Sequence, residues 1–132
     1  MTIEFFDRQQ VSSSVNGIRI EKQGDLLRLF ESLVNREPFF CELVGDNGYK
    51  QLVGVGGRIG CVQYSANNGA PPYLMAVAED GVNGQPYVEF LIGNTPTPVS
   101  TRYCIPFEKI RQITVYFLQT GERDPSVSWE EI

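Results

Sequence analysis

The fold is decided by residues 39–65, FFCELVGDNGYKQLVGVGGRIGCVQYS, in which three short apolar segments are separated by glycine-containing turns. The first two segments, Phe39 to Val44 and Tyr49 to Val55, flank Asp46-Asn47-Gly48, a tripeptide typical of a tight hairpin turn. Two glycines then precede a third segment, Arg58 to Ser65. Because parallel strands need long crossover connections, turns this short predict antiparallel strands.

The same pattern extends to both sides of this region. Upstream, Gly17 to Lys22 alternates between apolar and polar residues, which predicts a strand. Downstream we predict strands at Tyr73 to Ala78, at Tyr87 to Ile92 and near Val99 to Tyr103. We interpret Thr95 to Pro98 as a stiff connector, because proline cannot donate to a sheet ladder.

Two segments have the spacing of amphipathic helices. Leu26, Leu29, Phe30 and Leu33 predict a helix over residues 25–35, with Asp25 as its N-cap. Residues 106–120 predict a second helix, which Pro106 opens and Gly121 ends. We therefore expect a single α+β domain over residues 1–132, with two helices packed on a meandering antiparallel sheet of about five to seven strands.

Composition excludes several classes of function. The 132 residues include no histidine, so the catalytic pairs that need an imidazole and the common histidine-containing zinc sites are excluded. The three cysteines, Cys41, Cys61 and Cys104, are widely spaced and predict buried, reduced thiols. No leader peptide and no membrane-spanning run is recognisable, so we expect a cytoplasmic protein. We predict no catalytic residue, no cofactor and no metal.

Charge is distributed unevenly along a chain with 16 acidic and 11 basic residues. Residues 59–101 contain no lysine or arginine, but include Glu79, Asp80 and Glu89. Such a segment repels phosphate groups, which argues against direct nucleic acid binding and favours a basic protein partner. An acidic surface that serves only solubility explains the same pattern.

Two motifs could indicate chemistry, and both have a structural interpretation. The segment 54–60, GVGGRIG, resembles a nucleotide-binding loop, but the residues after it predict a strand, so we favour a glycine-rich hairpin. Glu79, Asp80 or Glu89 could serve a small carboxylate-dependent enzyme, which would need two of these acids in an enclosed pocket. For Trp129, we favour anchoring of the tail over a role in an interface.

From about the first predicted helix to residue 131, the chain resembles immunity protein family 1 of bacterial polymorphic toxin systems. The resemblance rests on four segments: Gly54-Val55-Gly56-Gly57, Ile105-Pro106-Phe107-Glu108, Phe117-Leu118-Gln119-Thr120-Gly121 and Val127-Ser128-Trp129-Glu130-Glu131. The tryptophan-x-glutamate signature of that family falls on Trp129 and Glu131. The resemblance implies a protein that neutralises a cognate secreted toxin, often a deaminase, by forming a complex with it.

The resemblance does not locate the interface. As partner-binding residues we predict Tyr73, Glu79, Asp80, Glu89 and Glu131, which would face a basic active-site surface of the toxin. As structural family residues we predict Gly54, Gly56, Gly57, Pro106, Gly121 and Trp129. The alternative binding function is that of a chaperone or adaptor for a secreted effector, which would leave the activity of the effector unchanged.

Overall fold

The computed structural model describes residues 1–79 and 85–132. Within them lie two helices, α1 (Gln23–Leu33) and α2 (Phe107–Thr120), and ten strands. The strands are β1 (Ile3–Asp7), β2 (Ile18–Ile20), β3 (Phe39–Gly45), β4 (Tyr49–Val55), β5 (Ile59–Ala66), β6 (Leu74–Ala76), β7 (Tyr87–Ile92), β8 (Thr95–Ser100), β9 (Ile105–Pro106) and β10 (Trp129–Glu131).

The central sheet has the strand order β10-β6-β5-β4-β3-β1-β2, and all pairs along this path are antiparallel. The two predicted hairpins of residues 39–65 form its middle, as β3–β4 and β4–β5. A further hairpin, β7–β8, joins β3 through one parallel pair between Phe39 and Leu91. The short strand β9 pairs with the start of β5. The predicted α+β class is therefore confirmed.

The sheet separates two hydrophobic cores. Both helices pack on one face, where α1 buries Leu26, Phe30 and Leu33. The α2 helix buries Ile110, Ile113, Thr114, Phe117 and Leu118 on the same side. On the opposite face, which we call the helix-free face, Phe40, Cys61, Met75, Phe90 and Cys104 form a smaller core beneath the β7–β8 hairpin. Alternate residues of the central strands thus face two different environments.

Several predicted element boundaries are wrong. The α1 helix begins at Gln23, so Lys22 and not Asp25 is the N-cap, and no side chain caps it. Asp25 instead lies in the first turn, where a negative charge favours the helix dipole. The segment Thr95 to Pro98, predicted to be a connector, belongs to β8, and Thr101–Tyr103 is a 3-10 turn.

The ten strands of the described residues outnumber the five to seven expected, because β1, β9 and β10 were not predicted as strands. Cys104 follows the 3-10 turn and does not lie in a strand. The tail packs back on the domain, as expected, through pairing of β10 with β6.

Candidate functional site

The structure brings together two of the five predicted partner-binding residues. Tyr73 immediately precedes β6, and Glu131 lies on the neighbouring strand β10, opposite Leu74. The backbone N–H of Ile132 donates to the carbonyl oxygen of Tyr73 over 3.0 Å. Tyr73 and Glu131 therefore occupy adjacent positions at one edge of the sheet.

Two other predicted partner-binding residues, Glu79 and Glu89, lie on other segments. Glu79 follows β6 and, with Pro106 and Lys109, lines a small cavity of about 110 Å³. Glu89 is exposed on β7, in the hairpin that covers the helix-free face. Asp80 lies outside the described residues. Glu79 and Glu89 thus lie on other segments than Tyr73 and Glu131, and the role of all five residues in partner binding stays a prediction.

Close packing requires two glycines of the family motif, Gly54 and Gly56, whereas Gly57 is favoured by its positive φ of 81°. A Cβ atom on Gly54 would lie 2.7 Å from the Cys61 sulfur and 2.8 Å from the Phe90 ring. A Cβ atom on Gly56 would lie 2.6 Å from Cα of Pro38. Gly57 is exposed in the turn between β4 and β5. Residues 54–60 thus form the end of one hairpin strand, a turn and the start of the next, as the sequence indicated.

The remaining motif residues hold the α2 helix and the tail in place. Pro106 directly precedes α2 in an extended conformation, so it is the N-cap and not the first helical residue. Gly121 ends α2 with a φ of 75°, in the left-handed region that favours glycine. Its carbonyl oxygen accepts hydrogen bonds of 2.9 Å from both Tyr64 Oη and Asn47 Nδ2. Trp129 Nε1 donates to the carbonyl oxygen of Asp124 over 3.0 Å, an anchoring contact.

The three cysteines are buried and unpaired in the structure. Burial raises the pKa of Cys41 and of Cys61 far above the usual thiol value, and it raises the pKa of Cys104 to about 11. A thiolate is the nucleophilic form of cysteine, so these side chains are poor nucleophiles near neutral pH. Among residues 1–79 and 85–132 there is no cluster of three or more cysteine and carboxylate side chains suited to a metal ion.

A cleft of about 290 Å³, which the sequence did not predict, lies at the end of the sheet where β4 begins and β5 ends. We call it the tyrosine cleft; its principal lining residues are Tyr49, Tyr64, Pro71, Pro72, Glu122 and Arg123. Tyr49 lies opposite Ala66 and Tyr64 opposite Gln51, so the two tyrosines are diagonal neighbours on one face of a hairpin. Their ring centroids are 5.1 Å apart, at an interplanar angle of 14°. The pairing register of the β4–β5 hairpin places Tyr49 and Tyr64 on one face, so this register could have predicted their contact.

Charged side chains of opposite sign flank the stacked rings. The guanidinium carbon of Arg123 lies 5.9 Å from the centroid of the Tyr64 ring. Glu122 is exposed and forms no ion pair with any residue in the described ranges. Burial, followed by the negative charge of Glu122, raises the pKa of Tyr64 to about 12. The Tyr64 hydroxyl therefore stays protonated and keeps donating to Gly121 at physiological pH.

A second concave region lies on the helix-free face. It is an apolar groove of about 410 Å³ between β8 and the sheet, whose principal lining residues are Phe40, Leu52, Met75, Ile92, Val99 and Tyr103. The Tyr103 hydroxyl donates to Glu130 over 2.9 Å, and Glu130 also pairs with Arg102. Glu42 on this face pairs with Arg8 and Lys50. Glu42 and Glu130 are thus paired, unlike Glu122 in the tyrosine cleft.

Comparison with known proteins identifies one family. The model of immunity protein Imm1 matches residues 16–131, which include both helices and nine of the ten described strands. No curated protein matches the chain. In the described residues, no helix has both the length and the apolar character needed to cross a bilayer. Because the match covers most of the chain, the protein belongs to the Imm1 immunity protein family.

Proposed function

We propose that this protein neutralises a cognate secreted toxin by binding to it in the bacterial cytoplasm and blocking its active site. The observation that carries the proposal is the match to the Imm1 family over residues 16–131. We further propose that the toxin has a basic active-site surface, as expected of an enzyme that acts on nucleic acid, such as a deaminase. The protein acts by complex formation and needs no cofactor.

Electrostatics supports a basic partner. The chain has a net charge of −5, and three of the proposed contact residues, Glu79, Glu89 and Glu131, are exposed. Complementary potentials accelerate association and favour the correct partner. An enzyme that binds nucleic acid presents cationic groups to phosphate, and an acidic protein surface can occupy the same groups.

The carboxylates support binding better than catalysis. Glu79 lies next to the start of α2, and Glu89 lies on the β7–β8 hairpin over the helix-free face. Both are solvent-exposed, whereas acid–base chemistry by two carboxylates needs them close together in a shared pocket. The described residues thus give no support to the alternative of a small carboxylate-dependent enzyme.

Co-expression with the toxin encoded beside the gene tests the proposal. We expect cells that produce both proteins to grow and the two proteins to purify together. Continued toxicity with no complex would contradict the proposal. A complex in which the toxin keeps full activity in vitro would indicate the chaperone or adaptor function instead.

A charge-reversal pair tests the proposed contact residues. Glu131→Lys changes an exposed residue of the proposed set, whereas Glu37→Lys makes the same change at an exposed residue outside it. We expect only the first substitution to weaken the complex, by at least about tenfold, because a like charge facing a basic surface is repulsive. Equal effects of the two substitutions would remove Glu131 from the interface.

A further inference from the structure

We propose that the tyrosine cleft receives an arginine side chain of the partner toxin, held between the Tyr49 ring and the Glu122 carboxylate. This inference rests on the proposed function, because it identifies the chemistry by which the neutralised partner is recognised. Tyrosine is enriched among the residues that dominate binding energy at protein interfaces. Tyr49 is one of the few large apolar or aromatic side chains that the described surface exposes, at 43%.

Contacts within the protein hold the Tyr64 wall of the cleft in place before any partner arrives. Tyr64, only 6% exposed, donates its hydroxyl proton to Gly121. Its ring meets Phe117 and Trp129 edge-on, at centroid distances of 5.9 and 6.4 Å. Tyr49 stacks on this fixed ring. A preorganised aromatic surface loses little conformational entropy on binding, so its contacts contribute more of their energy to affinity.

The lining of the cleft offers contacts both to the guanidinium and to the methylene groups of an arginine side chain. A guanidinium stacks on the face of an aromatic ring and pairs with a carboxylate, and here an exposed tyrosine and Glu122 line the same cleft. Pro71 and Pro72 add apolar surface against which the methylene groups of an arginine can pack. Arg123, whose guanidinium lies near the Tyr64 ring, shows that these aromatic rings already have a cation beside them.

Arg123 provides a test that distinguishes binding of an arginine from burial of apolar surface. Its positive charge lines the cleft and opposes an incoming cation, whereas the charge of Glu122 attracts it. Neutralising these adjacent residues should therefore have opposite effects. We expect Glu122→Gln to weaken arginine binding and Arg123→Gln to strengthen it, each by several-fold. A cleft that only buries apolar surface would respond equally weakly to both substitutions.

The first experiment uses a defined probe in place of the toxin. N-acetyl-arginine N-methylamide is titrated into the isotope-labelled protein, and NMR shifts are compared with those caused by the corresponding citrulline derivative, which has a similar shape but no charge. We expect saturable shifts at Tyr49, Tyr64 and Glu122 for the arginine derivative only, with opposite changes in affinity for the two variants. Equal shifts with both probes, or shifts spread over the surface, would overturn the inference.

The second experiment uses the complex with the toxin. Tyr49→Ala is compared with Tyr87→Ala, because Tyr87 is also an exposed tyrosine, at 50%, but lies on the β7–β8 hairpin. We expect Tyr49→Ala to raise Kd by at least about tenfold and Tyr87→Ala to leave it nearly unchanged. Glu122→Gln, an exposed substitution that leaves the core intact, should also raise Kd.

The outcomes separate this inference from the proposed function. If all these variants bind and neutralise the toxin like the wild-type protein, the tyrosine cleft is not the contact, although the protein still acts by binding. If the wild-type protein forms no complex, the proposed function fails.

Discussion

Among the ion pairs of the described residues, the pair between Asp7 and Arg36 contains the least exposed charged side chain. Asp7, at the end of β1, is only 2% exposed, and its carboxylate accepts a 2.7 Å hydrogen bond from Arg36. It also accepts the backbone N–H groups of Gln9 and Gln10, over 2.9 and 2.7 Å. The Arg36 guanidinium stacks 3.7 Å from the centroid of the Phe39 ring. Asp7 thereby connects β1 to the residues that lead into β3.

We expect Asp7→Asn to lower the free energy of unfolding by about 2–4 kcal/mol. An asparagine oxygen can still accept the two backbone N–H groups, but the ion pair is lost and a largely desolvated guanidinium is left without its partner. Breaking a fully buried pair costs about 3–5 kcal/mol, and Arg36 is partly exposed, which reduces the loss. Since the domain is expected to be stable by only about 5–15 kcal/mol, the change is large.

Urea unfolding followed by circular dichroism measures this loss. The matched control is Asp25→Asn, the same chemical change in an exposed pair with Arg28 on α1, which should cost no more than about 1 kcal/mol, including the lost interaction with the helix dipole. If Asp7→Asn were as mild as the control, the reasoning about the buried pair would be refuted.

The pH dependence provides an independent check. Burial alone would raise the pKa of Asp7, but the hydrogen bonds from Arg36, Gln10 and Gln9 outweigh it and hold the pKa below its usual value. A carboxyl group with a lowered folded-state pKa stabilises the protein above its unfolded-state pKa, near 3.9 for aspartate, and this contribution disappears as the pH falls through the folded-state pKa. The stability difference between wild type and Asp7→Asn should therefore be constant near neutral pH and should shrink below about pH 4. A difference that grew on acidification would contradict the assignment.

Three further predictions concern a buried polar side chain, the glycine that ends α2 and the buried thiols. Gln51 is fully buried, and neither of its side-chain polar atoms has a hydrogen-bond partner in the described residues. Gln51→Met should therefore be neutral or should raise the free energy of unfolding by up to about 2 kcal/mol. A loss above about 1 kcal/mol in urea unfolding would count against this. Gly121→Ala should destabilise the protein by about 1–3 kcal/mol, because φ is positive there and the added Cβ would lie 2.3 Å from Asn47 Nδ2. Gly69→Ala has a similar φ but open space around the added Cβ, so it should cost less in the same assay. The three buried thiols should react with a thiol reagent only after unfolding, and rapid labelling of any of them in the native protein would show that the core is open.

The sequence predicted the middle of the fold well because local rules determine it. The Asp46-Asn47-Gly48 turn and the glycines at 56 and 57 set two hairpins, and the apolar stripe from Ile110 to Phe117 set α2. The strand β1 was missed because its inward-facing positions are Ile3, Phe5 and Asp7, and a buried aspartate breaks the apolar alternation. Only tertiary contact with Arg36 makes that carboxylate acceptable in the interior.

Residues 95–98 were predicted to be a connector because of their two prolines, but they belong to the strand β8. Pro96 and Pro98 cannot occupy a strand that is paired on both sides, but β8 pairs only with β7 among the described strands. Likewise, no linear motif joins Tyr49, Pro72 and Glu122, which come from different segments of the chain. Sequence alone favoured acidic residues as contacts, whereas the tyrosine cleft depends on strand register and on where α2 ends.

The most direct test of the central claim is a titration of the toxin's catalytic activity with the purified protein. At toxin concentrations well above Kd, we predict that activity falls linearly and reaches zero at a fixed stoichiometric ratio, because each complex removes one active site from solution. Full toxin activity in the presence of excess protein, under conditions in which the two proteins demonstrably bind, would contradict neutralisation by blockage of the active site.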